Sequence, residues 1–174
     1  AQLKAMGVRS VMLTGDNHRT AQAIAGHLGM EWEAELLPED KLRLINEMKL
    51  NAKVAMVGDG TNDAPALAAA DVGLAMGAMD GGTGGSDVAM HAAGITLLRG
   101  DPALVTAALD ISRKTVVKIR QNLFWAFAYS AAGIPLAAFG YLSPVLAGEA
   151  MALSSVSVVS NALLLKRWRP PVEK

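Results

Sequence analysis

The chain has 174 residues, and its 16 Lys and Arg balance 16 Asp and Glu, so charge gives no reason to propose nucleic acid as a partner. The absence of Cys excludes a disulfide scaffold. Hydrophobic residues reach 52%, high for a soluble domain, and the excess gathers towards the end of the chain, so two parts of different character are expected.

A short helix over residues 1–6 is expected to lead into a strand over 8–13, which ends in Thr14, Gly15, Asp16 and Asn17. A hydroxyl at a strand's carboxyl end, beside N–H groups left open by a glycine and ahead of a helix N-terminus, suits a phosphoryl oxygen. Asp16 or Asn17 can also simply cap that helix, and the two uses are compatible. Further on, Leu37, Pro38, Glu39, Asp40 and Lys41 open an amphipathic helix whose apolar positions are Leu42, Ile45 and Met48. Lys41 falls in the first turn, where a cation opposes the helix dipole and needs compensation. An anionic phosphoryl group would provide it; an ordinary surface lysine is the alternative.

Residues 54–57 are almost uninterruptedly apolar, as in a parallel strand covered on both faces, and run directly into Gly58, Asp59, Gly60, Thr61, Asn62 and Asp63. Open α/β sheets bind ligands at such strand ends. The two glycines let the backbone turn and approach an anion, and Asp59 offers the hard oxygen that Mg²⁺ prefers. Beyond the next elements, residues 77–85 form a glycine-rich stretch, read as a surface loop rather than a phosphate cradle.

Asp101 and Pro102 provide an N-cap and a first-turn proline for an amphipathic helix through Leu104, Val105, Ala108 and Ile111, which continues past Lys118 and Arg120. From residue 123 to 165 the only charged residue is Glu149, so the stretch accommodates two membrane spans of about 20 residues each. The turn over residues 140–144 separates them, and Pro135 is expected to kink the first. Arg113, Lys114, Lys118 and Arg120 precede the pair, and Lys166, Arg167 and Arg169 follow it, so both ends are expected on the cytoplasmic side. Trp125 and Trp168 fit an interfacial belt. A buried hairpin in a soluble protein is the alternative.

Thr14-Gly15-Asp16-Asn17, the PEDK run ending at Lys41 and the stretch from Met56 to Gly77 together resemble the phosphorylation domain of P-type ATPases, a branch of the haloacid dehalogenase-like superfamily. The resemblance runs on through Asp87-Val88-Ala89-Met90, residues 93–97 and Gln121-Asn122-Leu123. It implies an α/β, Rossmann-like phosphorylation domain, present in part, followed by two transmembrane helices. No DKTGT, the family motif bearing the phosphorylated aspartate, occurs in the 174 residues, so the chain is expected to be a C-terminal fragment, inactive alone. The expected parts are residues 1–101, the phosphorylation domain; 102–122, a stalk helix; 123–142 and 145–165, the spans; and 166–174, a cytoplasmic tail. By the same resemblance, Asp59 and Asp63 serve Mg²⁺, Lys41 neutralises phosphoryl charge, Thr14, Gly15, Asp16 and Asn62 surround its oxygens, and ATP is the phosphoryl donor. Residues 77–85 are longer than the family's usual loop.

In the second span Met151, Ser154 and Ser155 share a face. A thioether suits Cu(I). The pattern resembles the MxxSS element of the monovalent-copper subgroup of heavy-metal P-type ATPases, with Tyr129 as a further ligand and Glu149 as a candidate exit residue. Tyr129-Ser130 departs from the subgroup's Tyr-Asn, while the lysine and aspartate that zinc-pumping relatives carry in these spans are absent. The resemblance therefore implies a Cu(I) pump, with Ag(I) as companion cargo, set in membrane lipid, in the inner membrane of a bacterium, with a soluble copper chaperone as a candidate donor. The alternatives are a Zn²⁺ pump, a cytosolic phosphatase of the same superfamily, and a non-catalytic membrane regulator made from half a pump.

Overall fold

The computed structural model describes residues 2–77, 87–141 and 143–170, so the glycine-rich stretch past Gly77 lies outside the described residues. Within it the chain divides into two compact units, Ala1–Thr106 and Ala107–Lys174.

The first unit is α/β, and among the described residues its strands pair in parallel. Helix α1 (Gln2–Ala5) precedes β1 (Val11–Leu13), which pairs with β2 (Glu31–Glu33) across the crossover helix α2 (His18–Leu28). Strand β1 is shorter than the expected 8–13. Gly29, in the left-handed region at φ 64°, ends α2 so close to β2 that only three residues of β2 remain to pair. Helix α3 (Pro38–Lys49) leads to a second parallel sheet, ordered β3 (Ala55–Gly58), β4 (Val72–Met76), β5 (Ile95–Leu97). A 3₁₀ turn over Thr61–Asp63 with α4 (Ala64–Ala69), and then α5 (Asp87–Ala92), lie on the two crossovers. Parallel pairing with helical crossovers is the pattern that the near-continuous apolar run over 54–57 predicts.

Ile45 of α3, Met56 of β3, Ala66 and Leu67 of α4, Ala75 of β4 and Ala89 of α5 form one buried cluster, with Leu13 of β1 packed against it. Three of these six are alanines. Small side chains let helices approach the sheet closely, so Leu67, Leu74 and their neighbours close the core without long side chains. At the start of β3, Asp71 accepts from Val54 N at 3.0 Å and from Lys53 Nζ at 2.9 Å. Those two bonds, the backbone one first, hold its carboxyl below the usual carboxylate range.

The second unit is a helical hairpin. Asp101 caps α6 (Ala103–Ala138), its Oδ1 accepting from Ala103 N at 2.9 Å. The helix runs unbroken through Pro135 and stops one residue after Ala137. The proline therefore sits in the last turn, where it removes one intrahelical N–H donor, to Ala131 O, and the helix ends three residues later. Gly140, at φ 75°, turns the chain, with Tyr141 N donating to Leu136 O at 2.9 Å. Ser143 Oγ then accepts from Leu146 N at 3.3 Å and starts α7 (Pro144–Leu163), which a 3₁₀ turn extends over Leu164–Arg167.

Three polar contacts fix the hairpin's register. Tyr129 Oη lies 3.4 Å from Ser157 Oγ, Asn161 Nδ2 donates to Asn122 Oδ1 at 2.7 Å, and Lys118 Nζ donates to Asn161 Oδ1 at 2.7 Å. They place Ser154, Ser157, Val158 and Asn161 on the half-buried face of α7, and leave Met151, Val156 and Val159 exposed. Val145–Arg167 is the one helical segment among the described residues that is long and apolar enough to cross a membrane. With Phe124, Phe127 and Ile134 of α6 also exposed, the hairpin presents apolar surface that water does not favour.

Candidate functional site

Thr14 follows β1 and is tied to the end of β2 and the loop after it: its N–H donates to Glu33 O at 3.0 Å and its carbonyl accepts from Leu36 N at 3.1 Å. Its hydroxyl donates to Asp16 Oδ2 at 3.0 Å and accepts from Asp16 N at 3.1 Å. The cap of α2 is Asn17, whose Oδ1 accepts from Thr20 N at 3.0 Å. Capping is thus done by Asn17, and Asp16 orients the Thr14 hydroxyl. Gly15 is held close to the same loop, since a Cβ there would stand 3.3 Å from Leu36 O.

One residue of this neighbourhood had no signal in the sequence. Glu35 occupies the left-handed region at φ 57°, a conformation rare for a residue with a Cβ, and its N–H donates to Asp16 O at 2.8 Å. Its carboxylate lies 3.7 Å from His18 Nε2. Strain of this kind persists where surrounding contacts fix the backbone, here the bonds between the two loops. A glycine or asparagine would have marked such a position; a glutamate does not.

From Leu36 the chain turns into α3, where Leu37 N donates to Asp40 Oδ2 at 3.1 Å. Arg43 first, and then that backbone bond, hold the Asp40 carboxyl below its ordinary range. Lys41 faces inward. Its Nζ donates to Asp63 Oδ1 at 2.8 Å, with the two side chains only 15% and 14% exposed. The compensation that a first-turn lysine requires is therefore supplied within the chain, by Asp63 at the end of the 3₁₀ turn after β3.

Gly58 has a different role from the turn-making one expected of it. Its φ is not positive. A Cβ at this position would lie 2.7 Å from Asp63 Cβ and 2.8 Å from Asp63 Oδ2, so a glycine is needed to let the Asp63 side chain fold back over the end of β3 towards Lys41. A continuous series of contacts results: the Thr14 loop bonds to the 33–36 loop, which opens α3, whose Lys41 bonds Asp63, which rests on Gly58.

Asp59 and Asn62 stand exposed beside this series. Asp59 forms no ion pair among the described residues, and no group of three or more His, Asp or Glu side chains gathers there to hold a metal. That donor set fits Mg²⁺ shared with a phosphoryl group, because Mg²⁺ keeps several waters and takes only one or two protein carboxylates. Asp59 would hold it, while Asp63, four residues further along the chain, is already committed to Lys41.

In the second unit the structure does not bring together all the residues expected to meet a metal. Tyr129 contacts Ser157, six residues beyond Met151 and therefore about 9 Å further along α7. The hairpin register sets this distance. Met151 and Ser155 lie on the open side of α7, where Ser155 Oγ donates to Met151 O at 3.1 Å, while Ser154 belongs to the half-buried face. Glu149 is exposed near the start of α7. Ser130 Oγ donates to Ala126 O at 3.2 Å, within its own helix.

Parallel strands whose carboxyl ends carry Thr14 and Asp59, with a largely sheltered Lys41 between them in the chain, define an α/β domain with parallel sheets. Residues 1–71 match the family model of haloacid dehalogenase-like hydrolases. A copper-exporting P-type ATPase of Staphylococcus haemolyticus is 57% identical over 170 residues, 97% of this chain and 21% of that protein. One of Staphylococcus aureus is 55% identical over 170 residues, 97% of this chain and 20% of its own. Among solved structures, a zinc-transporting PIB-type ATPase in its E2.Pi state superposes with a TM-score of 0.82 at 43% identity, over 94% of this chain and 26% of that one. The chain belongs to the heavy-metal P-type ATPases. It spans about a fifth of the length of the curated relatives it matches.

The close approach of Asp63 to Gly58 generates a test that needs no activity. In the full-length protein, Gly58→Ala should push Asp63 off Lys41 and cost about 1–3 kcal/mol of stability, as overpacking does. Lys41 should then react faster with an amine-acetylating reagent, followed by peptide mass spectrometry. A modification rate equal to that of the unaltered protein would show that Gly58 does not control the pair.

Proposed function

We propose that this chain is part of an ATP-driven membrane pump that exports Cu(I), with Ag(I) as a second cargo, through an aspartyl-phosphate formed on a residue outside these 174. The observation that carries the phosphoryl half of the reading is the Lys41–Asp63 pair seated on Gly58 at a strand's carboxyl end. A cation held there in a water-poor position is preorganised for an anion, and needs no reorganisation when phosphoryl charge arrives. Thr14, oriented by Asp16, offers its hydroxyl to one phosphoryl oxygen, and Asn62 offers its amide to another. Gly15, with no Cβ, lets the backbone of the loop approach a phosphoryl oxygen closely. Mg²⁺, when bound, screens charge between the phosphoryl group and the protein, and Asp59 is the residue that would hold it.

The apolar hairpin supports placement in a membrane, and the Lys and Arg flanking it support an orientation with both ends cytoplasmic in a bacterial inner membrane. Helix α6 runs unbroken from Ala103 to Ala138. Copper is favoured by the relatives at 55–57% identity, against 43% for the zinc-transporting structure. The spans agree, since no lysine or aspartate lies among residues 123–165 and the exposed Met151 is a soft ligand. Met151 with Ser155 faces away from α6, so the remaining ligands come from helices outside this chain. Tyr129, bonded to Ser157, contributes through the hairpin more than through direct contact with Met151. A soluble copper chaperone is the candidate donor. A Zn²⁺ pump is the second reading, on the strength of the structural neighbour.

Two substitutions in the full-length protein separate the halves. Asp59→Asn should raise the Mg²⁺ requirement and slow phosphoenzyme formation by at least about 100-fold, while Cu(I) binding in the membrane persists. Near-normal ATPase activity at low Mg²⁺ would remove Asp59 from the metal's coordination.

Met151→Leu deletes the sulfur at nearly constant volume. Cu(I) stoichiometry and Cu(I)-stimulated turnover should both fall, whereas Glu149→Gln should leave binding intact and slow release. Unchanged Cu(I) affinity in Met151→Leu would return that residue to packing, and stimulation by Zn²⁺ instead of Cu(I) would favour the second reading.

A further inference from the structure

A groove in the second unit plays no part in the chemistry above. It has a volume of about 370 Å³ and runs between α6 and the 3₁₀ turn that ends α7, with the cations Arg113, Lys114, Lys118 and Arg167 on its walls and Val117 and Leu164 among its apolar lining. Trp168 closes one side, its indole fixed by donation from Nε1 to Asp110 Oδ2 at 2.7 Å. Asp110 also takes Lys114 Nζ at 2.9 Å, and these two bonds, the indole's first, hold its carboxyl below the usual range.

The charges do not close among themselves. Asp110 is matched to Lys114, but Lys118, half-buried, donates to the neutral amide oxygen of Asn161 at 2.7 Å, which orients an ammonium without cancelling its charge. Asn161 in turn is locked by Asn122 at 2.7 Å. Among the described residues neither Lys118 nor Arg167 has a carboxylate within ion-pair distance. The groove therefore places two cations with no carboxylate at ion-pair distance among the described residues, Lys118 and Arg167, directly against apolar side chains, at the level where an apolar helix gives way to Lys166 and Arg167.

We propose that this groove binds an anionic phospholipid of the cytoplasmic leaflet, its phosphate between Lys118 and Arg167 and the upper part of an acyl chain against Val117, Leu164 and Trp168. The inference rests on the reading of α7 as a membrane span. A free phosphate would satisfy the cations and leave the apolar wall bare, and a zwitterionic lipid would bring its own cation to a site already positive, so both charge and shape select an anionic lipid. Such a lipid would tie the end of α7 to α6 where Asn161 and Trp168 already join them.

The test uses the full-length protein, delipidated in detergent, with binding of phosphatidylglycerol and of phosphatidylcholine followed by native mass spectrometry. Phosphatidylglycerol should bind with at least about tenfold preference, and Lys118→Gln and Arg167→Gln should each weaken it about fivefold, the effect of one cation near an anionic leaflet. Arg169→Gln, outside the groove, should change nothing. Equal affinity for both lipids, or no effect of the two groove substitutions, overturns the proposal. Displacement of phosphatidylglycerol by millimolar inorganic phosphate overturns the lipid as occupant in favour of a free anion. Retention of the protein in carbonate-washed membranes is measured alongside: extraction would overturn the membrane reading itself, whereas retention with equal lipid affinities overturns only the groove.

Discussion

The ion pair between Lys41 and Asp63 is the interaction on which the arrangement of the α/β unit's loops depends. Removing two charges from water costs several kcal/mol per ion, and a pair this sheltered recovers that cost only with good geometry and further polar support. Here the 2.8 Å contact supplies the geometry, and the remaining exposure of about one-seventh leaves one edge of each side chain to solvent or ligand. The pair is therefore better understood as a device for position than as a source of stability. It fixes the first turn of α3 against the end of β3, and by doing so sets the 33–37 loop and the Thr14 loop bonded to it.

Position also explains the glycine. In a loop with two glycines, the usual argument is conformational freedom, yet Gly58 adopts no left-handed φ and is required by the volume of Asp63. The strained backbone is one loop away, at Glu35, where hydrogen bonding between loops holds a glutamate at φ 57°. Sterics on one side and strain on the other bracket the same site. The helical unit uses a corresponding device, with Asn161 receiving Lys118 and donating to Asn122 so that α6 and α7 keep one register. That register decides which serines face α6 and leaves Met151 on the open side.

Much of the architecture was legible from residue patterns with plain physical meaning. The apolar run over 54–57, the Pro38 start of α3, the Asp101 cap and the turn at Gly140 all depend on local chemistry, and each element forms where that chemistry points. What the pattern could not reveal was set by partners distant in sequence. The truncation of β1 depends on where α2 ends, the partner of Lys41 lies 22 positions away, and the level of Tyr129 against α7 depends on hairpin register. The proline at 135 illustrates the same limit: its effect depends on its distance from the helix end, which the turn at Gly140 fixes.

If Lys41 and Asp63 act as one unit in phosphoryl handling, their effects on it cannot add. The most direct measurement is a double-mutant cycle of Lys41→Met and Asp63→Asn in the full-length protein, read as the rate of phosphoenzyme formation from radiolabelled ATP at saturating Mg²⁺ and Cu(I). The account predicts that the double variant is no slower than the slower single variant, with a coupling of about 1–3 kcal/mol between the two positions. Fully additive losses, or a Lys41→Met protein that forms phosphoenzyme at the normal rate, would contradict it.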